Sequence, residues 1–384
     1  MATQVAHPTG RSGLSLAIVR AMLSDAIPLA DLRRVLVIKL RHHGDVLLAS
    51  PVFSVLKRHA PQIEIDALVY ADTAAMLALH PDIAQVHTID RGWKKRGIFT
   101  QAAAEFGLFR RLRARDYDLV IHLTEHPRGA WLTRLLGARY GVARAMRGKP
   151  NFWRRSFTHL YSHPLNARRH TVELNLDALR RIGVQPDADE RRLLLVPGGE
   201  AEARIAALLA DHQLATGGFI HFHPASRWQF KCWTAEKNAE LLQRWQAAGR
   251  RVVVTCAPDA REREFISAIL RQAAVPVVDL SGQLSLKELA ALSARAALFV
   301  GVDSAPMHIA AAVGTPVVAL FGPSGELEWG PWGVPNRVIT SDAHACRPCG
   351  IDGCGGGKIS ECLTTLPVAR VAAACDELLA SAAR

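Results

Sequence analysis

The chain has 384 residues, 49% of them apolar and 21% charged, which excludes long disorder and exceeds one ordinary core, so two domains are expected. Its 47 Lys and Arg against 35 Asp and Glu give a net charge of +12, which attracts polyanions such as phosphorylated substrates, an acidic membrane face or nucleic acid without choosing among them. No uncharged apolar run reaches about 18 residues, so no membrane span is predicted.

Residues 1–33 read as an N-terminal extension, expected to be helical. Within it the stretch 14–32 is broken by Arg20, Asp25 and Asp31, and its apolar core is too short for a signal peptide. It suits an amphipathic helix laid on the first domain or on a membrane surface. The first strand is the β-branched run Val35 to Leu40, followed by a turn at Arg41 to Asp45 and a helical pattern to about His59, irregular at Pro51. Strands follow at 63–69, 85–89 and 117–122, with helices predicted over 74–79, 99–114 and 128–136. This βαβ rhythm predicts a parallel sheet covered by helices. The basic, aromatic-rich stretch 151–169 reads as a loop that lines a cleft, and 170–182 as a helix. A boundary is placed around 184–200.

The second half repeats the pattern. Strands are predicted at 219–223, 251–255, 277–280, 297–300 and 316–321. Helices are predicted at 201–214, 234–247, 260–273, 285–293, 307–313 and 368–384. Ser285 and Glu288 have the spacing of a capping box. Two such domains bring two sets of strand ends to one crevice, where open sheets bind their ligands.

Three motifs stand at strand ends. The first is His42-His43-Gly44-Asp45. Gly44 allows a tight turn or a close approach. Asp45 can cap the next helix, or act as a general base toward a sugar hydroxyl. The second runs from His221 to Trp233, where Ser226, Arg227 and Lys231 suit a phosphate or diphosphate. Trp228 and Trp233 either shape the pocket or fill core. The third is Gly301 to His308. Asp303 can cap a helix or accept from sugar hydroxyls, and Ser304 with the amides around Ala305 can hold phosphate oxygens. His308 has a core histidine as its alternative. Cys346, Cys349, Cys354 and Cys362 form a cluster with zinc-like features but irregular later spacing, compatible with a structural metal, with free thiols, or with a disulfide or other state.

In these three blocks the chain resembles the lipopolysaccharide heptosyltransferases of glycosyltransferase family 9, most closely the heptosyltransferase III subgroup. The resemblance runs from about Arg34 to the C-terminal helix. It implies an α/β chain of GT-B type, two Rossmann-like domains whose parallel sheets face a central cleft. The acceptor-side domain is then 34–190 and the donor-binding domain 191–365, with a C-terminal helix at 366–384. It implies an inverting transfer of heptose from ADP-L-glycero-β-D-manno-heptose to the lipopolysaccharide inner core, with no required metal or cofactor.

By motif, Asp45 matches the catalytic base, Ser226 and Lys231 the donor-phosphate contacts, Asp303 the donor-sugar carboxylate, Ser304 and Ala305 the diphosphate turn, and His308 the residue supporting it. The family often has Thr-Gly where this chain has Ser304-Ala305, and alanine lacks glycine's backbone freedom. Asp259 is placed near the donor ribose. The implied location is cytoplasmic, peripheral at the cytoplasmic face of the inner membrane, with contact to its anionic surface. Nucleic acid is not an expected partner, since no zinc-finger or RNP-type signature occurs. A related transferase with another donor or acceptor, or a nucleotide-sugar epimerase, are the alternatives.

Overall fold

The computed structural model describes residues 25–146, 148, 150–163 and 168–382. Most of the extension expected to be helical lies outside these residues. Its described end carries a single 3₁₀ turn, Leu29–Asp31.

The first half forms a six-stranded sheet from β1 (Arg34–Ile38), β2 (Glu64–Tyr70), β3 (Gln85–Ile89), β4 (Leu119–His122), β5 (Tyr140–Arg144) and β6 (His159–Tyr161), in the order β3-β2-β1-β4-β5-β6. The second half repeats it with β7 (Phe219–His223), β8 (Arg251–Val254), β9 (Val278–Asp279), β10 (Leu298–Val302), β11 (Val317–Leu320) and β12 (Asn336–Ile339), in the order β12-β11-β10-β7-β8-β9. Every described strand pairing is parallel. Val35 to Ile38 are fully buried, as a central parallel strand requires. Each sheet has the doubly wound Rossmann order, with a reversal between β1 and β4 and another between β7 and β10.

Helices join the strands: α1 (His43–Leu47), α2 (Ser50–His59), α3 (Ile98–Ala114), α4 (Pro127–Leu136), α5 (Asn151–Arg154) and α6 (Thr171–Arg180) in the first half. The second half has α7 (Gly199–Asp211), α8 (Ala235–Ala247), α9 (Ala260–Ala273), α10 (Leu286–Ser293), α11 (Ala305–Ala312), α12 (Glu326–Trp329), α13 (Glu361–Thr364) and α14 (Val368–Ala382). The predicted helix to His59 is broken into α1 and α2, because Pro51 takes the first turn of a new helix. The predicted helix at 74–79 is instead a 3₁₀ segment, Ala71–Met76. The stretch 151–169, read as a loop, holds α5 and β6. Trp153 and Phe157 there pack into a small core with Ala130 and Ala143.

On one face of the first sheet, Leu36 and Ile38 pack against Leu108 and Leu112 of α3 and Leu132 and Leu136 of α4. On the other face, Val35 and Val37 pack against α2 and α6, and this core runs on to Leu289 of α10 and Ile309 and Ala311 of α11. The two halves therefore share an apolar core. Lys287 adds a polar tie, donating from Nζ to the carbonyls of Ala78 at 2.7 Å and Val196 at 2.5 Å. Helix α14 packs on the second half, with Val371, Cys375 and Leu378 in its core.

Candidate active site

The strand reversals create two crevices at the carboxyl ends of the sheets. The first motif lies at one and the other two motifs at the second. Asp45 follows β1, in the first turn of α1. The N-cap of that helix is His42, with no side-chain cap bond, so capping is not the task of Asp45. Its largely buried carboxylate lies 3.6 Å from Arg41 Nε. It opens on a cavity of about 160 Å³ that also takes in Lys39, Thr124, Glu125, Arg144, Tyr161, His163, Asn175 and, from the second half, Trp329. Lys39 is buried there, donating to Asn175 Oδ1 at 2.9 Å and the Leu123 carbonyl at 3.2 Å. Burial pulls its ammonium down to about 8, and the nearby Asp45 charge opposes that pull. A second cavity of about 250 Å³ lies near Arg41, lined by Tyr70, Asp90, Arg91, Trp93, Glu105, His126 and Arg128. Arg91 bridges toward the first, stacked over Tyr70 and donating to the Arg41 carbonyl at 3.0 Å.

At the second reversal, Lys231 follows β7 and Asp303 follows β10. Lys231 Nζ meets Asp303 Oδ2 at 2.5 Å across the seam. Ser226 is buried, its Oγ accepting from the Trp228 amide at 3.3 Å. Ser304 is the extended N-cap of α11, but its hydroxyl accepts from no helix amide and instead donates to the Val302 carbonyl at 3.3 Å. The first amides of α11 thus have no side-chain cap from it. Ala305 begins the helix and is not among the positive-φ residues, so glycine's freedom is not needed there.

His308 joins the two crevices. It is buried, its Nδ1 has no hydrogen-bond partner, and burial pushes its imidazole down to about 4. A Cβ on Gly44 would come within 2.9 Å of His308 Cδ2 and 4.0 Å of the Ala305 Cα. Glycine at 44 is what lets α1 approach α11. A further seam joins the halves beside this contact. Thr171 donates to the Glu328 carbonyl at 2.9 Å, and His170 donates to the Gly330 carbonyl at 2.9 Å while stacking on Trp332.

Of the remaining candidates, Asp259 is exposed and caps α9, Oδ1 accepting from the Arg261 and Glu262 amides at 2.9 and 3.3 Å. Trp233 is core, whereas Trp228 is exposed. Ser285 and Glu288 form the predicted capping box.

A family model described as glycosyltransferase family 9 (heptosyltransferase) matches residues 106–359. Lipopolysaccharide heptosyltransferase 3 of Escherichia coli is 36% identical over 344 residues, which is 89% of this chain and 98% of that protein. The chain belongs to glycosyltransferase family 9, the heptosyltransferases. A solved family 9 glycosyltransferase from Veillonella parvula DSM 2008 is similar in fold, with a TM-score of 0.79 at 24% identity, over 93% of this chain and all (100%) of that one. The E. coli heptosyltransferase WaaC solved with ADP gives a TM-score of 0.69 at 22% identity, over 90% of this chain and 99% of that one.

The site rests on more than its motifs. Lys39, Asn175, Thr124, Trp329 and Lys287 escaped the sequence reading. Lys39 left a signal, a charge at the end of an otherwise apolar strand. Among the described residues no group of three or more His, Cys, Asp or Glu is placed to hold a metal ion. Cys346, Cys349 and Cys354 are exposed free thiols and Cys362 is a buried one. No helix among the described residues is long and apolar enough to cross a membrane.

Proposed function

We propose that this chain transfers heptose from ADP-heptose to the inner core of lipopolysaccharide, with inversion and without a metal. The observation that carries the reading is the convergence of the three motifs: Gly44-Asp45 of one half against Ala305 and His308 of the other, with Lys231 paired to Asp303 in the crevice of that other half. The proteins named heptosyltransferase among its relatives, one of them solved with ADP, support the choice of donor.

In this reading Asp45 takes the proton of an acceptor hydroxyl held in the cavity beside it. The hydroxyl attacks the anomeric carbon from the face opposite the diphosphate, and ADP leaves. Lys231, Ser226 and the uncapped amides at Ser304 and Ala305 meet the charge that gathers on the leaving phosphate, where preorganised donors act most strongly. These groups do the work for which other nucleotide-sugar enzymes use a cation. Asp303 exchanges Lys231 for hydroxyls of the donor sugar. Neutral His308 packs behind the turn and against Gly44, fixing the distance between base and donor. Arg41, Arg144 and Arg91 present positive charge to an acidic acceptor. Such an acceptor is anchored in a membrane, so the enzyme works peripherally at the cytoplasmic face of the inner membrane. In the same reading Asp259, the cap of α9 in the loop that follows β8, is the candidate contact for the donor ribose.

The test is Asp45→Asn. Transfer should fall by about 100-fold or more while calorimetry finds ADP bound as in the wild type. Near-full turnover of the variant would take the base role away from Asp45.

A further inference from the structure

Large apolar side chains are exposed in one region of the first half. Phe99 is 89% exposed, Ile98 77% and Phe106 61%, all on α3, and Trp131 and Leu135 on α4 are also exposed. The two helices lie side by side and run the same way. Glu105, midway along α3, pairs with Arg128 at the start of α4, and Arg113 donates to the Leu136 carbonyl near the ends of both.

On α3 the helical period sets Phe99, Ala102, Ala103 and Phe106 on one face, opposite Leu108 and Leu112, which enter the core. Trp131 and Leu135, four apart, share the outer face of α4. This surface lies on the side of the first sheet that faces away from the second half, so closure of the cleft does not cover it.

Its surroundings are basic. Between residues 91 and 115 the only acid is Glu105, against eight lysines and arginines. The outward stripe of α3 continues from Phe106 into exposed Arg110 and Arg113, and exposed Lys95 and Arg96 stand just before Ile98. Apolar tips ringed by positive charge match the headgroup and upper acyl region of an anionic bilayer. The start of α3 also follows β3 at the carboxyl edge of the sheet. That edge carries the Tyr70–Arg91 cavity and, beyond it, Asp45.

We propose that the start of α3, led by Ile98 and Phe99 and flanked by the outer face of α4, is the surface that seats this protein on an anionic phospholipid bilayer. Seated this way, the carboxyl edge of the first sheet lies at headgroup level, and a lipid-anchored acceptor reaches Asp45 without leaving the membrane. The purpose of the contact rests on the proposed function. The contact itself does not.

The full-length protein and its Ile98→Ser, Phe99→Ser variant are floated with vesicles of phosphatidylethanolamine and phosphatidylglycerol, and with vesicles of phosphatidylcholine alone. Both positions are exposed, so equal melting temperatures confirm an intact fold. The wild type should float with the anionic vesicles, less so in high salt, and the variant should lose at least about tenfold of that partitioning. Transfer to a delipidated core oligosaccharide should be equal in the two proteins. Equal flotation of the two, equal wild-type binding to both vesicle types, or a dimer by light scattering that the double substitution dissolves would each overturn the proposal. Wild-type flotation with no transfer to the oligosaccharide would instead count against the proposed function and leave the bilayer surface standing.

Discussion

Lys231 and Asp303 hold each other across the reversal of the second sheet, at 2.5 Å, where a diphosphate would need the lysine. A charged donor to phosphate contributes about 1.5–3 kcal/mol, so Lys231→Met should weaken ADP binding by tenfold or somewhat more. It also strands the mostly buried carboxylate of Asp303. Adding Asp303→Asn should therefore recover melting temperature while leaving ADP affinity low. Calorimetry and thermal melts of the two variants separate these effects, and unchanged affinity in Lys231→Met would remove the lysine from donor binding. At this scale the sequence was most informative where chemistry and position coincide. Gly44, Asp45, Lys231, Asp303 and His308 all stand at strand ends, and the fold brings them to one place. Asn175 was hidden in a segment whose pattern says only helix and Trp329 in one with no predicted element, while Lys39 was marked by its charge alone. What gathers them is tertiary packing, within the first half for Lys39 and Asn175 and across the halves for Trp329, which no local pattern encodes.

Among the elements, β7 with its neighbours carries an unusual load of buried histidine. His221 and His223 share the Thr255 hydroxyl at 2.8 Å each, and His221 reaches Ser293 Oγ at 2.9 Å. Burial lowers His221 well below its ordinary value of 6.5 and lowers His223 to about 3, as it lowers His308 to about 4. These groups stay neutral when folded but take up protons near 6.5 when unfolded. Their contribution is complete above that value and is lost as pH falls toward their folded values. The urea midpoint should be flat above neutrality and drop clearly by about pH 5. A midpoint unchanged over that range would mean the histidines are not held neutral. The same contrast between centre and edge explains which strands were readable. The central strands β1, β4, β7, β10 and β11 are mostly apolar runs, broken only by Arg34, His122, His221 and His223. The missed strands β5, β6 and β12 lie at or beside sheet edges, and their sequences (Tyr-Gly-Val-Ala-Arg, His-Leu-Tyr and Asn-Arg-Val-Ile) carry polar residues that give no clean alternation.

At the scale of the molecule, the two halves meet through the α1–α11 contact at Gly44 and the seam of His170 and Thr171 against residues 328–332. Gly44→Val would drive a branched side chain into His308 and hold the halves apart. Such a variant should keep ADP affinity, which the proposed function assigns to the second half, lose about 100-fold in turnover through misplacement of Asp45, and show a larger radius in solution scattering. A variant with wild-type turnover would show that the approach of α1 to α11 does not set the reacting distance.

Because Leu289, Ile309 and Ala311 are buried in one cluster with Val35 and Val37, neither half has a finished interior by itself. Severed at the linker, each piece would present a greasy wound to water. Intact, the pair should melt as a single unit, and a nucleotide gripped by the C-terminal half would lend its protection against heat and proteases to the N-terminal half as well.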